Sequence, residues 1–211
     1  MKKIVVFGAS GGTGIEVVNQ ALEAGYHVTA IIRDTESFPI CHQRLKRVKG
    51  DVLEPKTFEM SLNSVDAVIS CLGVQHRKPT NVYSQGISNI IQGMKNENIT
   101  RMICISAGGV EVAPNNSLIM KFLIKYVLQR IFKNSYADML KMEEILKNHE
   151  INWTVVRPPR LQNGEKTGKY RIAVNEFLNR MSSLKRSDLA DFMLKHLDDR
   201  KTFRSKVEIS Y

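Results

Sequence analysis

Residues 3–14 read KIVVFGASGGTG and constrain this chain more than any other stretch. Ile4, Val5, Val6 and Phe7 form a short apolar run, as in a strand buried on both faces. Gly8, Gly11, Gly12 and Gly14 follow, four glycines in seven residues. Beyond them Ile15, Val18 and Leu22 recur at helical spacing on one face. Strand, glycine turn and helix in succession is the context that gives such a motif meaning. The glycines permit a tight turn and let backbone N–H groups approach a pyrophosphate. They do so at a helix N-terminus, where the helix dipole favours negative charge. A plain strand-to-helix turn requires one glycine, not four. The stretch therefore predicts a dinucleotide site.

The rest of the chain repeats the alternation of strand and helix. Gly25 ends the first helix, and His27–Ile32 reads as a second strand. Val48–Val52 reads as a third, and Pro55 could start a helix that runs to Leu62. Asp66–Gly73 is a fourth strand, Val82–Lys95 a helix, and Met102–Gly109 a fifth strand opening on Ser106 and two glycines. A helix over Tyr136–Asn148 leads to a sixth strand, Asn152–Val156. Arg157-Pro158-Pro159-Arg160-Leu161 must then leave the sheet, because two prolines cannot continue a central strand. Gln162–Lys169 reads as a loop, Arg171–Val174 and Val207–Ile209 as short strands, and Ser187-Asp188 as the N-cap of a helix through Leu197. The expected fold is α/β, a doubly wound parallel sheet, in one domain over residues 1–211 with a small C-terminal elaboration. Ligands bind outside the carboxyl ends of such strands, where Gly8, Arg33, Asp51, Gly73 and Ser106 all stand.

Arg33 and Asp34 close the second strand, about 20 residues past the glycine turn, where such folds read the adenosine ribose. An acidic residue there selects the free 2′-hydroxyl of NAD, and an arginine accommodates the 2′-phosphate of NADP. Arg33 comes first, so NADP is favoured, with NAD the alternative. A surface arginine paired with Asp34 is the plainer reading.

Composition excludes more than it selects. The net charge of +10 is spread along the chain with no interleaved aromatics, which argues against nucleic acid as a partner. No window holds the ~18 apolar residues a membrane span needs. The chain enters its first strand almost at once, so a signal peptide is not expected. Cys41, Cys71 and Cys104 lack metal-like spacing, and no metal site is expected. Two of them lie in apolar runs, and a cytoplasmic location is expected. Residues 115–133 stand apart. Eleven apolar residues between Leu118 and Phe132 leave a narrow stripe of Lys121, Lys125, Gln129 and Lys133. A helix apolar nearly all round must be covered on most sides. Core packing, a subunit interface or a wall over a substrate pocket would each do so. A membrane-surface helix is disfavoured, since such helices carry a wider charged face. Monomer and homodimer are both open.

The motifs FGASGGTG at 7–14, IIRD at 31–34, GDV at 50–52 and DAVISCLG at 66–73 carry a family resemblance. ISA at 105–107, NWTVVRPPRL at 152–161 and SDLADFML at 187–194 extend it along the chain. The chain resembles the atypical short-chain dehydrogenases with NmrA-like Rossmann folds, and among them the biliverdin reductase B (flavin reductase) group. The resemblance implies that Gly8, Ser10, Gly11, Gly12, Thr13 and Gly14 cradle the cofactor phosphates and that Arg33 holds the 2′-phosphate. It places Asp51 and Val52 at the adenine, and Leu72 and Gly73 at the nicotinamide ribose. Ser106 would stand beside the nicotinamide as the catalytic residue, with Pro159, Arg160 and Leu161 at the same end. The implied reaction is hydride transfer from NADPH to a flat conjugated acceptor. His76, in the loop after Gly73, is a weaker substrate-contact candidate.

One departure from the resemblance bears on chemistry. Most short-chain dehydrogenases use Tyr-x-x-x-Lys, whose lysine lowers the tyrosine pKa for proton transfer. Here Tyr136 is followed four residues later by Leu140. The lysine that many NmrA-like relatives carry is replaced by Met139, and Lys141 is turned away by about 200° of helix. Alcohol oxidation, which must remove a proton, is poorly served. Reduction of an electron-poor flavin, bile pigment or quinone is not, since it can take its proton from solvent. The other reading is a non-catalytic NADP-binding redox sensor that acts through a protein partner. An epimerase is disfavoured by the same missing pair.

Overall fold

The computed structural model describes residues 1–114 and 116–211. Strand β1 (Lys3–Phe7) sits in the middle of an eight-stranded sheet. Its side chains alternate between two cores, which explains the unbroken apolar run. Ile4 and Val6 pack on the side of α1 (Gly12–Glu23) and α6 (Arg186–Lys195), with Val18, Leu22, Leu189 and Phe192. Val5 and Phe7 pack on the side of α2 (Ser84–Asn96) and α5 (Lys133–Lys147), with Ile87, Ile91, Met142 and Leu146. Phe7 meets Phe58 edge to face at 4.9 Å, worth about 0.5–1.5 kcal/mol beyond burial.

The remaining strands of this sheet are β2 (His27–Ile32), β3 (Leu45–Lys49), β4 (Ala67–Ser70), β5 (Arg101–Ile105), β6 (Asn152–Arg157), β8 (Arg171–Val174) and β10 (Ser205–Ser210). Their order is β3-β2-β1-β4-β5-β6-β10-β8, all parallel except β8 at the edge. From β1 the chain winds first towards β3 and then back through β4 to β6. The direction reverses between β1 and β4, which makes that gap the switch point where such sheets bind ligands. This is the doubly wound parallel sheet expected from the alternation. The C-terminal elaboration is a small parallel pair, β7 (Leu161–Gln162) with β9 (Leu184–Lys185), together with edge strand β8.

Several boundaries differ from those expected. The third strand lies earlier, at Leu45–Lys49, so Asp51 and Val52 occupy the turn beyond it. Pro55 opens two short 3-10 turns, Pro55–Thr57 and Glu59–Leu62, and no α-helix. Strands four and five stop at Ser70 and Ile105, before their glycines. Ser187 and Asp188 are not N-caps but lie inside the first turn of α6. Their side chains instead fasten the preceding loop. Ser187 donates to the Gly164 carbonyl, and Asp188 accepts from Thr167 N at 2.9 Å and Gly168 N at 2.7 Å. Gln162, expected to open a loop, instead forms β7 with Leu161 and pairs with β9.

The largest correction concerns the apolar segment. It comprises α3 (Leu118–Phe122), a π-helical turn Leu123–Leu128 and α4 (Gln129–Ile131), running almost directly into α5. Asn115, where the segment was expected to begin, lies outside the described residues. The expectation that the helix is covered on most sides does not hold. Leu118 and Ile119 are each 83% exposed and Phe122 61%, and Ile124 is its one buried side chain.

Candidate cofactor site

The strand registers bring the expected site residues to one edge. Phe7 pairs with Ile31 and with Ser70, Ser70 with Cys104, and Ile105 with Val156. The carboxyl ends of β2, β1, β4, β5 and β6 are therefore level. Gly8, Arg33, Leu72, Ser106 and Pro158 each continue from that edge within two residues.

At the switch point the backbones approach too closely for a side chain. Gly8 has φ +67°, and a Cβ there would stand 2.5 Å from the Cys71 carbonyl oxygen of the β4 end. A Cβ on Gly14 would stand 2.2 Å from the Gly8 oxygen, so only glycine lets α1 seat against the turn. Gly11 N donates to Gly8 O at 3.1 Å and closes the loop. Gly11 is the N-cap of α1 and offers no side chain to it. Among the described residues, the N–H groups of Gly12, Thr13 and Gly14 have no hydrogen-bond partner. Three free donors at a helix N-terminus are what an anionic pyrophosphate requires, so the residues present fit a dinucleotide. Ser10, Gly11 and Gly12 are exposed at the turn, while Thr13 is buried.

Arg33 follows β2 and is exposed, with no hydrogen bond or ion pair among the described residues. The pairing with Asp34 does not form. Asp34 instead accepts from Glu36 N, and the Ser37 side chain and that amide hold its carboxyl below the usual range. Asp51 orders its own turn, its carboxylate accepting from Leu53 N at 2.9 Å. Val52 is buried against Gly86 of α2, and Leu72 reaches the same glycine. Gly73 is exposed, and so is His76 in the loop beyond it. Pro159 is half-buried. Exposed Arg160 and half-buried Leu161 run alongside β9, Arg160 O accepting from Leu184 N at 3.0 Å.

Ser106 differs from the other strand-end residues in being buried and committed. Its hydroxyl donates to Glu143 Oε1 at 2.7 Å. Glu143 is held in turn by Arg157, whose Nε donates to Oε1 at 3.0 Å and whose Nη2 donates to Oε2. Arg157 also donates to Glu111 at 2.7 Å, and Lys206 stands 3.2 Å from Glu143 and 3.4 Å from Glu111. Burial works against the Arg157 charge, but its bonds to Glu111 and Glu143 outweigh that and raise its pKa. The Arg157 hydrogen bond is the main reason the Glu111 pKa is lowered from 4.5 to about 2. Nearby, a Cβ on Gly109 would meet the Tyr136 hydroxyl at 2.8 Å, which puts that phenol beside the loop after β5. Burial raises its pKa.

Sequence reasoning missed this network and one further cation. Glu143 could have been found, because it lies on the same stripe of α5 as Met139, Met142 and Leu146, where an acid is out of place. Arg186 carried no such local signal. It lies across the glycine turn, where a Cβ on Gly12 would meet its side chain at 2.8 Å, and it donates to Asn163 at 2.8 Å. No group of three or more potential metal ligands occurs among the described residues. Likewise, none of their helices is long and apolar enough to cross a membrane.

A family model described as NAD(P)H-binding matches residues 8–200, from the glycine turn nearly to β10. The chain belongs to that NAD(P)H-binding family. An uncharacterised chloroplastic protein of Arabidopsis thaliana is 28% identical over 176 residues, 79% of this chain and 62% of its own. The chain thus spans less than two thirds of that relative. A short-chain dehydrogenase/reductase of Veillonella parvula, solved in complex with NADP, superposes with a TM-score of 0.84. It is 17% identical and covers 100% of this chain and 94% of its own. A Streptococcus pneumoniae protein provisionally named an NADH-flavin reductase has a TM-score of 0.78 at 20% identity, covering 100% of this chain and 99% of its own. At such identities the likeness to these structures is one of fold. The NAD(P)H-binding family and the Rossmann-like sheet agree with the resemblance drawn from the motifs.

Proposed function

We propose that the protein is an NADPH-dependent reductase that passes hydride to a conjugated acceptor such as a flavin, a bile pigment or a quinone. The observation that carries this reading is the level row of strand ends, with three free N–H donors at one point and an unpaired arginine at another. The donors of Gly12, Thr13 and Gly14 suit a pyrophosphate. Arg33 suits a 2′-phosphate, and NAD would leave its guanidinium unmatched. Asp51 and Val52 then flank the adenine, and Leu72 and Gly73 the nicotinamide ribose. Pro159, Arg160 and Leu161 close the far end.

A reduced nicotinamide bound along this row supplies hydride. Ser106 positions that ring. Its one proton is committed to Glu143, so its oxygen has only acceptor capacity left, suited to the nicotinamide carboxamide. Tyr136 keeps its proton at neutral pH, because burial raises its pKa and Leu140 stands where a lysine would lower it. Neither residue serves as a base, which alcohol oxidation needs. An electron-poor ring needs none, since after accepting hydride it takes one proton from water. Holding two flat rings in contact supplies much of the rate. His76, exposed in the loop after β4, would touch the acceptor from that side.

The committed Ser106 proton also favours a second reading, a redox sensor that binds NADP and acts through a protein partner. The two separate in one assay. Loss of NADPH absorbance is followed with free flavins, biliverdin and quinones, and NADH is run beside NADPH. The reductase reading expects turnover of at least one acceptor, faster with NADPH. Tight NADP binding with no turnover of any acceptor contradicts it and supports the sensor.

A further inference from the structure

We infer that the segment spanning α3 to α4 is a docking surface for an anionic lipid bilayer. Leu118, Ile119, Phe122 and Tyr126 are 83%, 83%, 61% and 54% exposed and lie on successive turns of one outward face. Elsewhere the exposed large apolar residues, such as Met60 and Ile172, are scattered singly, whereas a clustered patch of this kind marks an interaction site. The segment cannot turn inward to hide it. Ile124 anchors the opposite side in the protein, and Gln129 donates to the Gly109 and Val110 carbonyls at 3.3 and 3.2 Å.

The charges decide what covers the patch. From Val112 to Ala137 the sequence holds Lys121, Lys125, Arg130 and Lys133 and no acidic residue. Lys125 and Arg130 are exposed beside the apolar face. A symmetric dimer through this face would set these cations against their own copies, with no acid in the segment to offset them. A lipid surface carrying negative headgroups supplies both counter-charge and an apolar layer. The rings fit the same setting. Phe122 and Tyr126 pack at 4.8 Å, and the Lys125 ammonium lies 5.5 Å over the Tyr126 ring. Aromatics at the headgroup level with basic side chains reaching outward are the usual furniture of an interfacial helix. The expectation of a wider charged face assumed a free-standing helix. Here the protein body itself takes up the side opposite the lipid.

The inference does not rest on the proposed activity, and its test is one of binding alone. The whole protein is sedimented with vesicles of phosphatidylcholine mixed with phosphatidylglycerol, and with vesicles of phosphatidylcholine alone. The expected result is sedimentation with the mixed vesicles, weakened by salt, and little with the neutral ones. Lys125→Ala should lower the partition about fivefold, the effect of one basic residue at such a surface. Ile119→Asp with Phe122→Asp should abolish it at an unchanged melting temperature, since both side chains are exposed. Wild-type protein that stays in solution at low salt would overturn the inference. So would a double variant that sediments undiminished, or a concentration-dependent dimer lost in that variant without any vesicle binding.

Discussion

Glu111 shows how far a single carboxylate at this site has been shifted. Its partners, Arg157 at 2.7 Å and Lys206 at 3.4 Å, hold its pKa at about 2 against an ordinary 4.5. A folded value below the unfolded one means a contribution fully present above pH 4.5 and lost as pH falls towards 2. Glu111→Gln should therefore lower stability at neutral pH. Because the carboxylate is partly exposed, the loss is on the order of 1 kcal/mol. Urea midpoints across pH should show the gap between wild type and variant closing through that acidic window. A gap independent of pH would rule the ion pair out as its source. Nothing local in the sequence announces this pair, since Glu111 and Arg157 are 46 residues apart and meet only because β5 and β6 are neighbours.

Among the elements, α2 depends on a residue far from it in sequence. Its N-cap position, Tyr83, is helical and gives the helix no side-chain hydrogen bond. Asp138 of α5 does that work, accepting from Tyr83 N at 2.9 Å, from Ser84 N at 3.4 Å and from the Ser84 hydroxyl. Asp138→Ala leaves these groups without their buried acceptor and should cost about 1–3 kcal/mol. Hydrogen exchange should quicken most in the first turn of α2, and a uniform change across the sheet would contradict the cap. The helix itself was legible from Ile87, Ile90, Ile91 and Met94 at helical spacing. Its cap was not, because Asp138 reads locally as one polar residue on another helix. The segment from α3 to α4 misled for a different reason. Its periodicity correctly gave a helix, but periodicity says nothing about which apolar side chains the rest of the protein leaves uncovered.

Across the whole molecule, the alternation of strand and helix is enough to give the doubly wound sheet. The right-handed return of parallel connections then limits how the strands can be ordered. The shape of the glycine turn was equally legible, because Gly8 to Gly14 form it through the backbone and need no distant partner. The far end was less so. Ser106 could be placed at a strand end, but its commitment to Glu143 and the cover of Arg186 over Gly12 arise only when α5 and α6 dock. The proposed reading puts NADP along the row of strand ends with its 2′-phosphate on Arg33, and calorimetric titration of NADP and NAD into wild type and Arg33→Ala decides whether it lies there. NADP should bind wild type more tightly than NAD. The variant should lose tenfold or more for NADP, the worth of a charge-assisted phosphate contact of about 1.5–3 kcal/mol, and little for NAD. Equal losses for both, or none for either, would remove Arg33 from the phosphate site and with it the case for NADP.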